Sequence, residues 1–162
     1  LILIPQFEGA RENASLRGVF FGLSLGHTRA HLIRTILEGI AFNMKERLEA
    51  FKEAGVPVKK IRIIGGGARS RIWNQIKADI MGIPTIQMDV DEAGPLGGAI
   101  LAGTGVGIFR DVAKVAERRA AVREVFKPRP DVLAKYEKLY KIYTTVSNGL
   151  NQYFATLYEA KV

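Results

Sequence analysis

Three consecutive glycines, Gly65 to Gly67, form the segment of this sequence best suited to contact a ligand. They follow the β-branched run 60–64, and Ala68, Arg69 and Ser70 come directly after them. Because glycine has no Cβ, the backbone can adopt positive φ values there and a flat ligand can approach it closely. A helix that begins near Ser70 would direct free N–H groups at an acceptor-rich or anionic ligand. The motif alone is equally consistent with a tight reversal from strand to helix.

The spacing around the glycines excludes two common nucleotide-binding motifs. A P-loop ends in glycine, lysine and serine or threonine, and that ending is absent here. The dinucleotide fingerprint needs a third glycine further along, which Gly-Gly-Gly-Ala-Arg-Ser-Arg lacks. The context of the turn must therefore decide what it binds.

Strand and helix patterns alternate on both sides of the glycines. The sequence predicts a strand at 60–64, a helix at 72–81, a strand at 85–88 and a helix at 93–105. This alternation predicts a parallel α/β core with the glycine turn between its first strand and first helix.

The segments that flank this core are predicted to be two short strands and several helices. The strands lie at 1–7 and 19–23, and a long helix begins at Ser24 or Thr28 and ends at Gly55. Gly39 lies inside that helix, where glycine costs about 1 kcal/mol relative to alanine, so we expect a close helix contact there.

The C-terminal part of the sequence is predicted to be helical. A shorter charged helix is expected at 112–125 and a stiff break at 128–130. A long amphipathic helix follows Pro130, and Gly149 is expected to interrupt it.

Composition narrows the class of protein. The chain has 162 residues, of which 48% are hydrophobic, which suits one globular domain. It has no cysteine and two histidines, so we expect neither disulfides nor a metal site of its own. Without an apolar run of about 18 to 20 residues, we expect a cytoplasmic protein that does not contact membranes.

The formal net charge of +8 admits a nucleic acid, an anionic lipid or a phosphate-bearing ligand as partner. The basic residues are spread along the chain without a dense tract and with few interleaved aromatic residues. We therefore interpret most of them as solvated surface charges and expect no nucleic-acid partner.

The glycine turn is followed by two further motifs, Trp73 to Pro84 and Glu92 to Ala99. Together with segments upstream of the turn, these linked motifs resemble the FGGY family of carbohydrate kinases. The resemblance covers nearly the whole chain and is more specific than the three glycines alone. The residues that carry it are Arg17 to Leu23, Gly26 to Arg29, Leu37 to Phe42, Gly65 to Ser70, Trp73 to Pro84 and Glu92 to Ala99.

The resemblance implies a ribonuclease-H-like, actin-like ATPase fold: a short sheet flanked by helices, with a long C-terminal helix. In the family the glycine turn is the adenosine motif. The residues carried over as nucleotide-binding are Gly66, Gly67 and Ala68 against adenine and ribose, Arg71 near the base, and Ser70 and Gln75 as weaker candidates.

The resemblance also implies an ATP-dependent kinase that phosphorylates a hydroxyl of a small sugar, with Mg²⁺ as the metal. The family places its catalytic aspartate, first phosphate turn and most sugar contacts in an N-terminal domain. We therefore expect this chain to be the C-terminal part of such an enzyme, truncated on its N-terminal side, with no catalytic or metal-binding residues and no activity alone. A sheet edge left unpaired by truncation would favour a homodimer.

Within this interpretation we divide the chain into an extended segment at 1–26, an α/β core at 27–109 and a helical tail at 110–162. The motif Gly-Gly-Gly-Ala-Arg-Ser is more similar to xylulokinase-type members, which favours a pentulose such as xylulose. The segment 7–13 lacks the proline found in many members, which leaves the sugar open. The alternatives are an actin-like regulatory module that binds nucleotide and a basic nucleic-acid-binding domain.

Overall fold

The computed structural model of the protein describes residues 1–9, 13–90, 92–119 and 121–160. These residues form five α-helices and five strands, with a 3₁₀ turn at Gly66–Arg69. In chain order the elements are β1 (Ile2–Ile4), β2 (Val19–Phe21), α1 (Arg29–Glu53), β3 (Ile61–Ile63), α2 (Arg71–Met81), β4 (Thr85–Met88), α3 (Ala93–Gly105), α4 (Val112–Arg119), β5 (Val122–Phe126) and α5 (Pro130–Glu159).

The chain divides into two compact units. The first unit contains Leu1–Val58, Asp79–Gly82 and Arg129–Val162. The second unit contains Lys59–Ala78 and Ile83–Pro128. The glycine turn belongs to the second unit.

Helix α1 of the first unit begins and ends where the sequence predicts. The backbone N–H of Thr28 donates to Nδ1 of His31 at 3.1 Å, which fixes the first turn. Gly55 stops the helix with a φ of +75°, a left-handed value that glycine adopts at little cost.

Strands β1 and β2 pair antiparallel, and α1 packs on β1. Gly39 permits this packing, because a Cβ at this position would lie 2.7 Å from the carbonyl oxygen of Leu3. The close contact predicted for Gly39 is thus confirmed, and its partner is a strand.

Helix α5 is continuous from Pro130 to Glu159, so the interruption expected at Gly149 is wrong. Proline at the first position suits the helix start, since its fixed φ is already helical and its missing N–H is not needed. Tyr136, Tyr140 and Tyr143 of α5 surround Phe42 of α1, with ring centroids 5.4 to 6.3 Å from that of Phe42. This aromatic cluster forms part of the buried core of the first unit.

The second unit contains a three-stranded sheet in the order β3, β4, β5. β3 and β4 are parallel, with Ile61 opposite Thr85, as the alternating pattern predicts. β5 runs antiparallel to β4, with Phe126 opposite Thr85. The sheet is therefore mixed.

The helix expected at 112–125 is too long, because α4 ends at Arg119 and β5 follows it. Val122, Val125 and Phe126 favour a strand through their branched or aromatic side chains. The charged residues between them gave the segment a helical appearance in the sequence. In the structure one of them, Arg123, donates from Nε to Asp89 at 2.8 Å.

Among the described residues, none of the helices is both long enough and apolar enough to cross a membrane.

Candidate functional site

The glycine turn joins β3 to α2 through a backbone conformation that requires glycine at one position. Gly65 has a φ of +79°, in the left-handed region that L-residues with side chains rarely adopt. The following 3₁₀ turn is closed by the Ala68 N–H, which donates to the Gly65 carbonyl at 3.0 Å. The chain therefore reverses within four residues and exposes the backbone of Gly66 and Gly67.

Gly66 and Gly67 differ in what their missing side chains allow. A Cβ at Gly67 would lie 2.7 Å from Cζ3 of Trp73, so glycine there lets the indole pack on the backbone. A Cβ at Gly66 would meet no atom within 4 Å, and its φ is not positive. The fold has no use for glycine at Gly66, and the space above it is open to a ligand.

The buried side of the turn is braced by Asn74. Its Nδ2 donates to the Ala68 carbonyl at 2.7 Å, and both residues are buried. The Oδ1 atom of Asn74 is buried and accepts no hydrogen bond within the described part of the chain. Sequence reasoning missed Asn74, although a polar residue next to Trp73 in the first turn of the amphipathic α2 was a signal for it.

The other predicted site residues are held by contacts within the second unit. Oγ of Ser70 accepts a 3.3 Å bond from the Trp73 N–H and caps α2. Arg71 donates from Nη2 to Glu124 at 2.6 Å. Gln75 donates from Nε2 to the Lys127 carbonyl at 2.9 Å. The structure thus places Ser70 in the turn and ties Arg71 and Gln75 to the segment around β5.

The indole ring of Trp73 contacts a buried lysine, Lys77. Nζ of Lys77 lies 3.9 Å from the indole ring centroid, a cation–π contact. Lys77 is 5% exposed, and burial lowers its pKa. The contact holds the indole against Gly67, so Trp73 serves both as packing and as the support of the exposed turn.

Two arginines near the site are paired with acidic side chains. Arg71 and Arg123 form ion pairs with Glu124 and Asp89. No cluster of three or more histidine, aspartate or glutamate side chains that could hold a metal ion occurs among the described residues. At the turn itself, the described residues present backbone groups and an open surface.

The comparisons with known proteins agree with one another. A model of the FGGY family of carbohydrate kinases, C-terminal domain, matches residues 2–106. The xylulose kinase of Staphylococcus epidermidis is 34% identical over 160 residues, covering 97% of this chain and 32% of that protein. The crystal structure of xylulose kinase from Rhodospirillum rubrum has a TM-score of 0.82 and 29% identity, covering 96% of this chain and 31% of that one. Plasmodium falciparum glycerol kinase, solved with ADP, has a TM-score of 0.73 and 25% identity, covering 91% and 30%.

The chain spans about a third of the length of the curated relatives that it matches. Its structural neighbours are sugar kinases, which confirms the actin-like ATPase fold predicted from the sequence. Since the family model covers well over half of the residues, this chain belongs to the FGGY family of carbohydrate kinases.

Proposed function

We propose that this chain is the adenosine-binding part of an ATP-dependent kinase that phosphorylates a hydroxyl group of a small sugar. The family membership supports the sugar kinase activity. The glycerol kinase solved with ADP supports an adenine nucleotide as the ligand. The glycine turn is the part of the chain to which we assign that nucleotide.

The open space above Gly66 carries the proposal. Adenine and ribose are flat or shallow, so they can rest on a backbone that has no Cβ. Gly67 lies beside it on the support formed by Trp73, and Ala68 closes the turn with its side chain buried. A rigid platform of this kind lowers the entropic cost of binding.

The remaining predicted residues surround the platform. Ser70 lies at the N-terminus of α2, where the positive end of the helix dipole favours acceptor atoms of the nucleotide. Arg71 and Gln75 follow on the helix, and we assign them to the edge of the base. Their bonds to Glu124 and Lys127 hold them in place, so little side-chain freedom is lost on binding.

The described residues do not fit a resident Mg²⁺ site, because they hold no cluster of carboxylates. In our proposal the metal is held by the nucleotide phosphates and by parts of the kinase beyond this chain. Asp79 is not a candidate base, since both its oxygens accept bonds from Arg129. We assign no catalytic role to any residue described here and expect no turnover by this chain alone.

We infer the sugar substrate and the cellular location from the relatives. The xylulose kinases among them favour a pentulose such as xylulose as the substrate, phosphorylated in the cytoplasm. The segment 7–13, which we singled out in the sequence for substrate selection, lies partly outside the described residues, because it includes 10–12.

The proposal is tested by titrating the chain with ADP in a calorimeter. We expect a dissociation constant of about 1 mM, equivalent to about 4 kcal/mol, since one side of the nucleotide is contacted. Gly66→Ala leaves the fold intact, because the added Cβ meets only open space, and it should weaken ADP binding at least about tenfold, or 1.4 kcal/mol.

The control is Gly149→Ala on α5, where the Cβ is also accommodated. We expect this variant to bind ADP like the wild type. Unchanged binding by Gly66→Ala, or displacement of ADP by an oligonucleotide, would contradict the proposal.

A further inference from the structure

A cavity lies in the first unit, which does not contain the glycine turn. It has a volume of about 390 Å³, within the range of small-molecule sites. The first turns of α1 and α5 both contribute to it. The charged and imidazole side chains that line it are His27, His31, Arg34, Glu38, Arg129 and Lys135.

The two histidines at the cavity are held as hydrogen-bond donors. The Ser24 N–H donates to Nδ1 of His27 at 2.9 Å, and the Thr28 N–H donates to Nδ1 of His31 at 3.1 Å. Because Nδ1 accepts in both rings, each neutral imidazole carries its proton on Nε2. Each ring can therefore donate one N–H to a ligand.

One oxygen of the single carboxylate in the described lining is already engaged. Glu38 is the one carboxylate among the described residues that line it. Its Oε1 accepts from Arg34 Nε and from the Tyr136 hydroxyl, each at 2.8 Å. The Tyr136 hydroxyl in turn accepts from Arg34 Nη2 at 2.8 Å. In this triad the charge of Glu38 is balanced by that of Arg34.

Two cationic side chains at the start of α5, Arg129 and Lys135, are available to a ligand in the cavity. Arg129 pairs with Asp79 through Nε and Nη2, which leaves its Nη1 group unused in that pair. Lys135 forms no ion pair within the described part of the chain, and it is exposed. The first turn of α1 contains no acidic residue, so its dipole adds to the positive potential.

We propose that this cavity binds a small organic phosphate, that is, a phosphate monoester on a short polyhydroxylated carbon chain. The phosphate would accept from Lys135, Arg129 and the two imidazole N–H groups. The apolar side chains of Leu1, Val132 and Leu139 would lie against the carbon chain. A neutral sugar fits less well, because it brings no negative charge to balance Lys135 and Arg129, while the one carboxylate of the lining is paired with Arg34.

The test is a titration of the ¹⁵N-labelled chain with ribose 5-phosphate, followed by amide NMR. We expect saturable shifts of signals from 27–38 and 129–139, with a dissociation constant of about 1 mM or lower. Ribose should cause no shift, and inorganic phosphate should bind more weakly. Equal affinity for inorganic phosphate, or shifts confined to 65–75, would overturn the proposal.

Two lysine variants on α5 separate this site from general surface charge. Lys135→Gln removes a lining cation, and we expect it to weaken binding about fivefold or more. Lys138→Gln removes an exposed charge that does not line the cavity, and we expect affinity within about twofold of the wild type. An equal loss of affinity in both variants would mean that binding depends only on net charge, and it would contradict the proposed site.

Discussion

At the scale of residues, the candidate site depends on what each glycine excludes or allows. Gly65 is required by its positive φ, and Gly67 is required by the indole of Trp73. Gly66 needs glycine neither for its φ nor for packing, and we therefore propose that it contacts the ligand. The sequence predicted the three glycines as one motif, but their separate roles depend on Trp73 packing back onto the turn, which spacing alone does not indicate.

Buried tyrosines give the first unit a pH dependence that can be measured. Burial, followed by the nearby negative charge of Glu38, raises the pKa of Tyr136 to about 12, and burial raises that of Tyr140 to about 12 as well. Tyrosine in the unfolded chain ionises near pH 10, roughly its model value. The unfolded state therefore loses protons first, and the free energy of unfolding should fall between about pH 10 and 12.

Urea unfolding at pH 8 and pH 11 checks this expectation. Tyr136→Phe should reduce the alkaline loss of stability, because one raised pKa is removed. Tyr153→Phe is the matched control on the same helix, since Tyr153 is exposed and its substitution should leave the loss unchanged. Identical pH profiles for both variants would show that Tyr136 makes no such contribution.

At the scale of elements, periodicity predicted most helices and strands. The bounds of α1, α2 and α3 agree with their apolar patterns, and the short strands β1 to β4 were also predicted. β5 was missed because its charged residues resemble those of the preceding helix. Gly149 was expected to break α5, but an exposed glycine costs a long helix only about 1 kcal/mol.

Alanine substitution at two helix-interior glycines should change the stability of the fold in opposite directions. Gly149→Ala adds a Cβ in open space and should stabilise the fold by about 0.5 to 1 kcal/mol. Gly39→Ala places a Cβ 2.7 Å from the Leu3 carbonyl oxygen. Strand β1 must then shift, and we expect a loss of about 1 to 3 kcal/mol.

Thermal unfolding of both variants beside the wild type measures this difference. We expect a higher melting temperature for Gly149→Ala and a lower one for Gly39→Ala. A stabilised Gly39→Ala would show that α1 does not approach β1 as closely as described.

At the scale of the whole molecule, the sequence motifs predicted the family, and the solved relatives confirm it. The partners of Arg71 and Gln75 could not be predicted, because Glu124 and Lys127 lie about 50 residues further along and meet them only through tertiary packing. Three further points stay predictions. They are the division of the chain into segments 1–26, 27–109 and 110–162, the inactivity of the isolated chain, and the formation of a homodimer.

The central claim is that an adenine nucleotide rests on the glycine turn. Trp73 is the one tryptophan in the sequence and supports Gly67, so its fluorescence reports directly on this surface. Excited outside the adenine absorption band, it should change in a saturable way as ADP is added, and much less with UDP. No change with ADP up to about 10 mM, or an equal change with UDP, would contradict the claim.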